Sequence, residues 1–211
     1  MAPLNPNAPV YFPTLSPSSN ITFFHASVNR QCRNNSKLKG QHKPQDDLEL
    51  FHFKDDHKDD EKRTTVMIKN LPNKLMKSTL LKMLDDHCAQ ENKVIEENST
   101  TASEFNFLYL PIDFKSGSNL GYAFVNFTSA KAARRFHHAF HNKSWNQLHG
   151  SLKICEVTYA RIQGLPALQK RFKNSVFICD NEDYLPVYFN PSRNGSCDSK
   201  QHFIGRKIMK L

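Results

Sequence analysis

Two aromatic residues, Tyr122 and Phe124, stand at alternate positions in residues 121–127, among small, apolar or amide side chains. Because successive side chains of a strand point to opposite faces, the apolar residues between them face one way and the two rings face the other. Aromatic rings on a rigid, open strand can stack on unpaired nucleic-acid bases, at roughly 1–3 kcal/mol per base. The pattern therefore predicts binding by stacking rather than covalent chemistry.

Polar and basic residues around this pair extend the candidate site. Met67 and Lys69 share one face of an earlier apolar run, where the lysine can meet a phosphate, and Asn126 shares the face of the two rings. Basic residues beyond the last predicted strand are expected to supply further phosphate contacts. The complete candidate set for RNA is Met67, Lys69, Tyr122, Phe124, Asn126, Arg161, Lys170, Arg171 and Lys173.

The formal net charge of +9 is unevenly spread along the chain. Residues 46–61 hold eight acids and two bases, which leaves 27 bases and 12 acids for the rest. A basic surplus of this size favours a polyanionic partner, either nucleic acid or an anionic membrane, and a merely soluble basic protein remains the alternative. No apolar stretch approaches the roughly 18–20 residues that a membrane span requires.

Other chemistries lack the residues that they need. Five cysteines stand far apart without zinc-knuckle spacing, and we find no nucleophile elbow, Walker loop or catalytic carboxylate pair. His137 and His141 are one helical turn apart, but a zinc site needs three or four ligands, so surface imidazoles are the favoured interpretation. We therefore predict no catalytic residue, no metal, no cofactor, no small-molecule substrate and no membrane partner.

Hydrophobic periodicity predicts the elements that must hold these residues. Ser129 is a good N-cap for a second helix. The order β-α-β-β-α-β is that of the ferredoxin-like α+β fold, in which two helices cross one face of a four-stranded sheet. The predicted strands are residues 65–69, 105–113, 121–127 and 153–159, with a first helix at about 77–89 and a long loop at 90–104.

A further helix after the fourth strand leaves two interpretations open. Pro166 suits its first turn, and Leu165, Leu168 and Phe172 lie on one side of it. This helix could cover the aromatic pair, which would favour a protein-interaction module. Its basic residues could instead extend a nucleic-acid groove, and the exposure of the aromatic pair distinguishes the two functions.

The domain with its C-terminal helix is assigned to residues 63–173, between two arms. Residues 1–62 are rich in Pro, Asn, Ser and charge, and are expected to be disordered, with an acidic linker at 46–61. Residues 174–211 are expected to form a tail that is partly ordered or disordered. No signal peptide is visible, so we expect an intracellular protein, in the nucleus, the cytoplasm or both.

Two predicted strands resemble the signatures of the RNA recognition motif. Residues 120–127 match the RNP1 pattern except at Leu120, where a basic residue is usual. Residues 66–71 resemble RNP2, with Met67 at the position that usually holds an aromatic ring. Both departures reduce the affinity expected from the sheet alone.

Four blocks in order are similar to the C-terminal RNA recognition motif of the Mei-two-like proteins. The resemblance implies single-stranded RNA binding without catalysis, in a regulator of mRNA that acts in meiosis or development. It also implies that a non-aromatic residue in RNP2 and a non-basic start of RNP1 are tolerated. The four blocks are residues 66–74, 105–114, 121–126 and 159–164.

Residues 4–13 resemble the motif that docks on the MLLE domain of poly(A)-binding protein. Leu4 and Tyr11 are the two anchors that so short a peptide can bury, and its prolines limit the entropy lost on docking. The motif usually has Phe where Tyr11 stands. Poly(A)-binding protein is therefore the second predicted partner, through Leu4, Asn5, Pro6, Ala8, Tyr11 and Pro13.

Overall fold

The computed structural model describes residues 51–53, 62–95, 101–146 and 150–209. The predicted motif at residues 4–13 and most of the acidic linker lie outside the described residues. The helices are α1 (Lys77–Ile95), α2 (Ala130–Phe140) and α3 (Leu165–Phe172). The strands are β1 (Thr65–Lys69), β2 (Phe105–Tyr109), β3 (Tyr122–Phe127), β4 (Glu156–Tyr159), β5 (Val176–Ile178), β6 (Val187–Arg193), β7 (Lys200–Phe203) and β8 (Arg206–Ile208).

The predicted β-α-β-β-α-β order is confirmed, and α1 and α2 cover one face of the sheet. Ser129 caps α2 as expected, because its side-chain oxygen accepts a hydrogen bond from the backbone N–H of Ala132 at 3.1 Å. The apolar stripe of each helix packs on alternate residues of the strands. The fully buried centre of this core includes Val66, Ile68, Leu80, Leu84, Leu108, Val125, Phe127 and Phe136.

Helix α1 continues to residue 95, beyond the predicted end at residue 89. The added residues begin with the polar stretch 90–93, so the hydrophobic pattern did not reveal them. A tertiary contact holds them instead: the Asn92 side chain accepts from the backbone N–H of Ser103 at 2.6 Å and donates to its carbonyl at 3.0 Å. Residues 90–95 of the predicted loop are therefore helix.

Strand β2 is shorter than predicted and changes face along its length. It ends at Tyr109, two residues before Pro111, which has no backbone N–H to donate. An irregularity in pairing between Phe105 and Phe107 breaks the simple alternation. Phe105 consequently lies in the core under the helices, whereas Phe107 and Tyr109 point to the opposite face.

Within the described residues the main sheet has six strands, not the four that were predicted, in the order β4-β1-β3-β2-β6-β7. The two extra strands come from the C-terminal tail, which is folded throughout residues 174–209. Strand β6 pairs antiparallel with β2 and places Val187 and Phe189 in the main core. The remaining tail strands, β5 and β8, form a separate parallel pair.

Strand β6 is fastened to α1 by charge and by close packing. The Arg193 guanidinium donates to both carboxylate oxygens of Asp85, at 3.0 and 2.5 Å. Gly195 follows with φ of +86°, and a Cβ there would collide with the Asp85 carbonyl oxygen and with Ala89. Only glycine fits such an approach, so the turn after β6 is built to lie against α1.

Candidate nucleic-acid interface

Pairing of the strands fixes which side chains share the face opposite α1 and α2. Met67 on β1 stands opposite Phe124 on β3, which in turn stands opposite Tyr109 on β2. Lys69 stands opposite Tyr122. Cross-strand neighbours lie about 4.5–5.5 Å apart at Cβ, so these residues form one continuous surface across three neighbouring strands.

The structure places Tyr122 and Phe124 half-buried on this face. Their rings meet edge to face, with centroids 5.7 Å apart and planes at 76°. Burial raises the pKa of the Tyr122 hydroxyl above its ordinary value. The two rings, with the half-buried Met67 beside them, form what we call the open strip, completed by Lys69 and Glu156.

Helix α3 covers the β2 part of the same face. The Phe172 ring packs on Phe107, with centroids 6.0 Å apart, and on Tyr109, with centroids 5.0 Å apart. Phe177 adds a further contact with Tyr109 at 6.1 Å. Burial raises the pKa of the Tyr109 hydroxyl well above its usual range. Helix α3 therefore covers two aromatic rings of the sheet, next to the open strip.

A short connection after β4 sets the position of α3. The Gln163 side-chain oxygen accepts from the backbone N–H groups of Thr64 and Thr65, each at 2.9 Å, and its amide donates to the Thr65 carbonyl at 2.9 Å. The N–H of Gly164 donates to the Thr65 hydroxyl at 2.8 Å. Gln163 is a positioning residue that sequence reasoning missed, although it stands in the block of residues 159–164.

Asn126 lies in a hydrogen-bond network on this face. It faces away from α1 and α2 as expected but is only 3% exposed. Its side-chain oxygen accepts from the hydroxyls of Thr64 and Thr65, and its amide donates to Asn106 at 2.8 Å. The Asn126 amide is thereby engaged within the protein, and its contact with RNA stays a prediction.

The predicted basic residues divide into two groups. The Lys69 ammonium forms an ion pair with Glu156 at 2.7 Å, so a phosphate would have to compete with that carboxylate. Arg161, Lys170 and Lys173 are exposed, and Arg171 is half-buried. Lys170 and Arg171 lie on α3 and Lys173 follows directly after it, so all three are outside the open strip. Leu120, at the first RNP1 position, is 46% exposed.

The histidines of α2 pack against the chain that precedes β1. Phe53 lies between the rings of His137 and Tyr159, with centroids 4.0 and 3.8 Å away. His141 accepts a hydrogen bond from the Val157 N–H, and burial beside other cations lowers the pKa of His137 to about 4.

Within the described residues no His, Cys, Asp or Glu cluster could hold a metal ion. No helix of the described chain is long and apolar enough to cross a membrane.

A sheet with two helices on one face and a central aromatic pair on the other defines an RNA-recognition-motif protein. The family model described as RNA recognition motif 2 matches residues 63–173, just over half of the chain, and the chain belongs to that family. Within it, the resemblance to the Mei-two-like proteins is confirmed by relatives from plants.

These relatives are longer proteins. The terminal ear1 homolog of Oryza sativa subsp. indica is 53% identical over 137 residues, which cover 63% of this chain and 20% of that protein. Protein MEI2-like 6 of Oryza sativa subsp. japonica is 42% identical over 153 residues, covering 70% of this chain and 47% of the relative. The chain thus spans between a fifth and a half of their length.

Solved structures are similar at lower identity. The structure of the Rna15 RRM with bound RNA is 14% identical, with a TM-score of 0.36, and the match covers 51% of this chain and 93% of that one. The second RRM of yeast Pub1 is 16% identical, with a TM-score of 0.33, and the match covers 48% of this chain and 99% of that one.

Proposed function

We propose that the open strip binds single-stranded RNA by stacking unpaired bases on Met67, Tyr122 and Phe124. The observation that carries the proposal is the aromatic pair, held half-exposed on an interior strand while α3 covers the neighbouring rings of β2. A rigid strand holds the rings in place before RNA arrives, so little entropy is lost on binding. Bases must be unpaired to present their faces, which selects single strands over duplexes.

Polar groups at the edge of the strip suit the same ligand. The ion pair of Lys69 with Glu156 lies beside Tyr122, so the carboxylate can accept a hydrogen bond from the edge of a base. If the Lys69 ammonium moves to a phosphate, the Glu156 carboxylate is available to accept the hydrogen bond from the base. The backbone of the RNA would then follow the exposed basic residues Arg161, Lys170 and Lys173.

The salt dependence of RNA affinity tests the phosphate contacts. Each phosphate of a single strand that the protein no longer neutralises is expected to lower the slope of log K against log salt by about 0.7. We expect a substantially shallower slope in the full chain when four candidate cations are replaced together by glutamine. The positions replaced are Arg161, Lys170, Arg171 and Lys173.

A matched variant controls for net charge alone. Four exposed lysines on or near α1 and α2 lie on the opposite side of the sheet and should leave the slope nearly unchanged when replaced by glutamine. An equal change of slope in both variants would contradict contacts at specific positions. The control positions are Lys82, Lys93, Lys131 and Lys143.

We further propose that the N-terminal arm recruits poly(A)-binding protein, so that the chain acts on the fate or translation of bound mRNA in development or meiosis. The support is the motif at residues 4–13.

Joint Leu4→Ala and Tyr11→Ala exchange should weaken binding of the full chain to an isolated MLLE domain at least about tenfold, measured by calorimetry, because both anchors are lost. Tyr11→Phe, which restores the usual residue, should bind at least as well as the original chain; equal binding by the alanine variant would refute the motif.

A protein-interaction module is the second candidate function. The packing of Phe172 on Phe107 and Tyr109 favours it, since part of the face already serves protein contacts. In that case a protein segment, rather than RNA, would occupy the open strip. The response of RNA affinity to changes at Tyr122, Phe124 and Phe172 separates the two.

A further inference from the structure

A basic groove lies on the far side of α3 from the open strip. Its volume is about 280 Å³, and it separates the C-terminal end of α3 from strands β6 and β7. Helix α3 contributes Gln169 and Lys170, Lys173 follows directly after it, and the sheet side includes Tyr188 on β6 and residues 203–205 at the end of β7. Among the described residues no acidic side chain lines it, so the groove is electrostatically suited to an anion.

Strand pairing puts this groove on the same face as the open strip. Tyr188 on β6 stands directly opposite Phe107 on β2, and His202 on β7 stands opposite Tyr188. Residues directly opposite one another point to the same side of a sheet. Phe107 is the ring that Phe172 covers, so α3 crosses the face between the open strip and Tyr188.

The groove repeats the chemistry of the strip with different residues. The Tyr188 ring is half-buried and stacks on His202, with centroids 4.8 Å apart and planes at 16°. Backed in this way, the ring is held in a fixed orientation while it borders the groove. The exposed residues Lys170, on α3, and Lys173, directly after it, stand across the groove from the ring.

We propose that this groove is a second subsite for single-stranded RNA, in which a base stacks on Tyr188 and its phosphate meets Lys170 and Lys173. The inference rests on the proposed function, because it requires that the open strip holds the neighbouring part of the same strand. The volume lies near the lower limit of about 300 Å³ for small-molecule pockets, which suits one nucleotide. A strand leaving the strip has to pass α3, whose diameter is about 10 Å, before it reaches the groove.

This geometry predicts a dependence of affinity on RNA length. An RNA of about 4 nucleotides can occupy the strip alone, whereas one of about 10 nucleotides can also reach the groove. Tyr188→Leu keeps an apolar side chain and removes the ring. In the full chain it should weaken binding of the longer RNA about tenfold and leave the shorter RNA unaffected, measured by fluorescence anisotropy at one salt concentration.

Two companion variants make the test decisive. Tyr188→Phe retains the ring and should bind both RNAs as the original chain does. Lys170→Gln with Lys173→Gln changes only exposed side chains and should also reduce the gain with length, even if Tyr188→Leu proves poorly folded.

The ways in which the proposal can fail are distinguishable. If the original chain binds the short RNA but both groove variants keep the full gain with length, the second subsite is refuted and the proposed function stands. The subsite is also refuted if Tyr188→Leu and Tyr188→Phe weaken the longer RNA equally, because stacking would not be the cause. If the original chain binds neither RNA, the proposed function and the subsite fail together.

Discussion

Replacing Tyr122 and Phe124 together by alanine is expected to weaken binding of single-stranded RNA by the full chain at least about tenfold. The reason is the loss of two stacking surfaces, each of which contributes roughly 1–3 kcal/mol when a base lies on it. Both side chains are only half-buried, so the domain loses less packing than a core substitution would cause. Titration of labelled RNA at fixed salt, with circular dichroism as a check of folding, measures the effect.

An exchange that conserves the rings is the matched control for this result. Tyr122→Phe combined with Phe124→Tyr keeps two aromatic faces on the same strand and should retain RNA affinity within a few-fold. If the alanine variant binds RNA as tightly as the original chain, the rings do not hold bases. The protein-interaction function would then become the better account of this face.

Phe172→Ala is expected to lower the free energy of unfolding by about 3–5 kcal/mol, as large-to-small changes of buried aromatic residues do. Phe172 is 3% exposed and lies against Phe107 and Tyr109, so its removal leaves a cavity that α3 cannot close without moving. Urea denaturation followed by circular dichroism measures the loss. Phe114→Ala is a control of the same chemistry at a side chain that is 36% exposed, and should cost less than half as much.

Phe172→Ala also decides whether α3 is a scaffold or a removable cover. Gln163 and Gly164 tie the start of the helix to Thr65, and Phe172 ties its end to β2, which indicates a scaffold. RNA affinity should therefore stay the same or fall when the packing of Phe172 is lost. A tenfold rise would instead show that α3 masks the sheet and would overturn the scaffold interpretation.

The elements that could be predicted are those whose signal is local. Strand β3 and helix α2 were predicted because alternation and helical spacing are visible in a single stretch of sequence. Ser129 indicated where α2 begins, because serine is a common N-cap residue. Alternation also predicted that Tyr122 and Phe124 share a face. These properties depend on near neighbours in the chain, so the sequence contains them directly.

The features that could not be predicted depend on distant contacts. Strand β6 begins with three apolar residues, but its partner β2 lies about eighty positions earlier, so its place beside β2 had no local sign. The hydroxyls of Thr64 and Thr65 that donate to Asn126 likewise lie about sixty positions earlier, and hydrophobic periodicity gives no sign of such a contact. The face of Phe107 depends on an irregular pairing that only the assembled sheet shows.

The pairing of β6 with β2 also sets where the folding unit ends. A fragment that stopped at residue 173, the limit of the family match, would leave β2 as a bare sheet edge, with its backbone N–H and C=O groups open to other chains. It would also remove Val187 and Phe189 from the core and the Arg193 contact from Asp85. Such a fragment invites self-association through the uncovered edge. The smallest soluble unit of this protein should therefore extend through β8, some thirty-five residues beyond the motif by which its family is recognised.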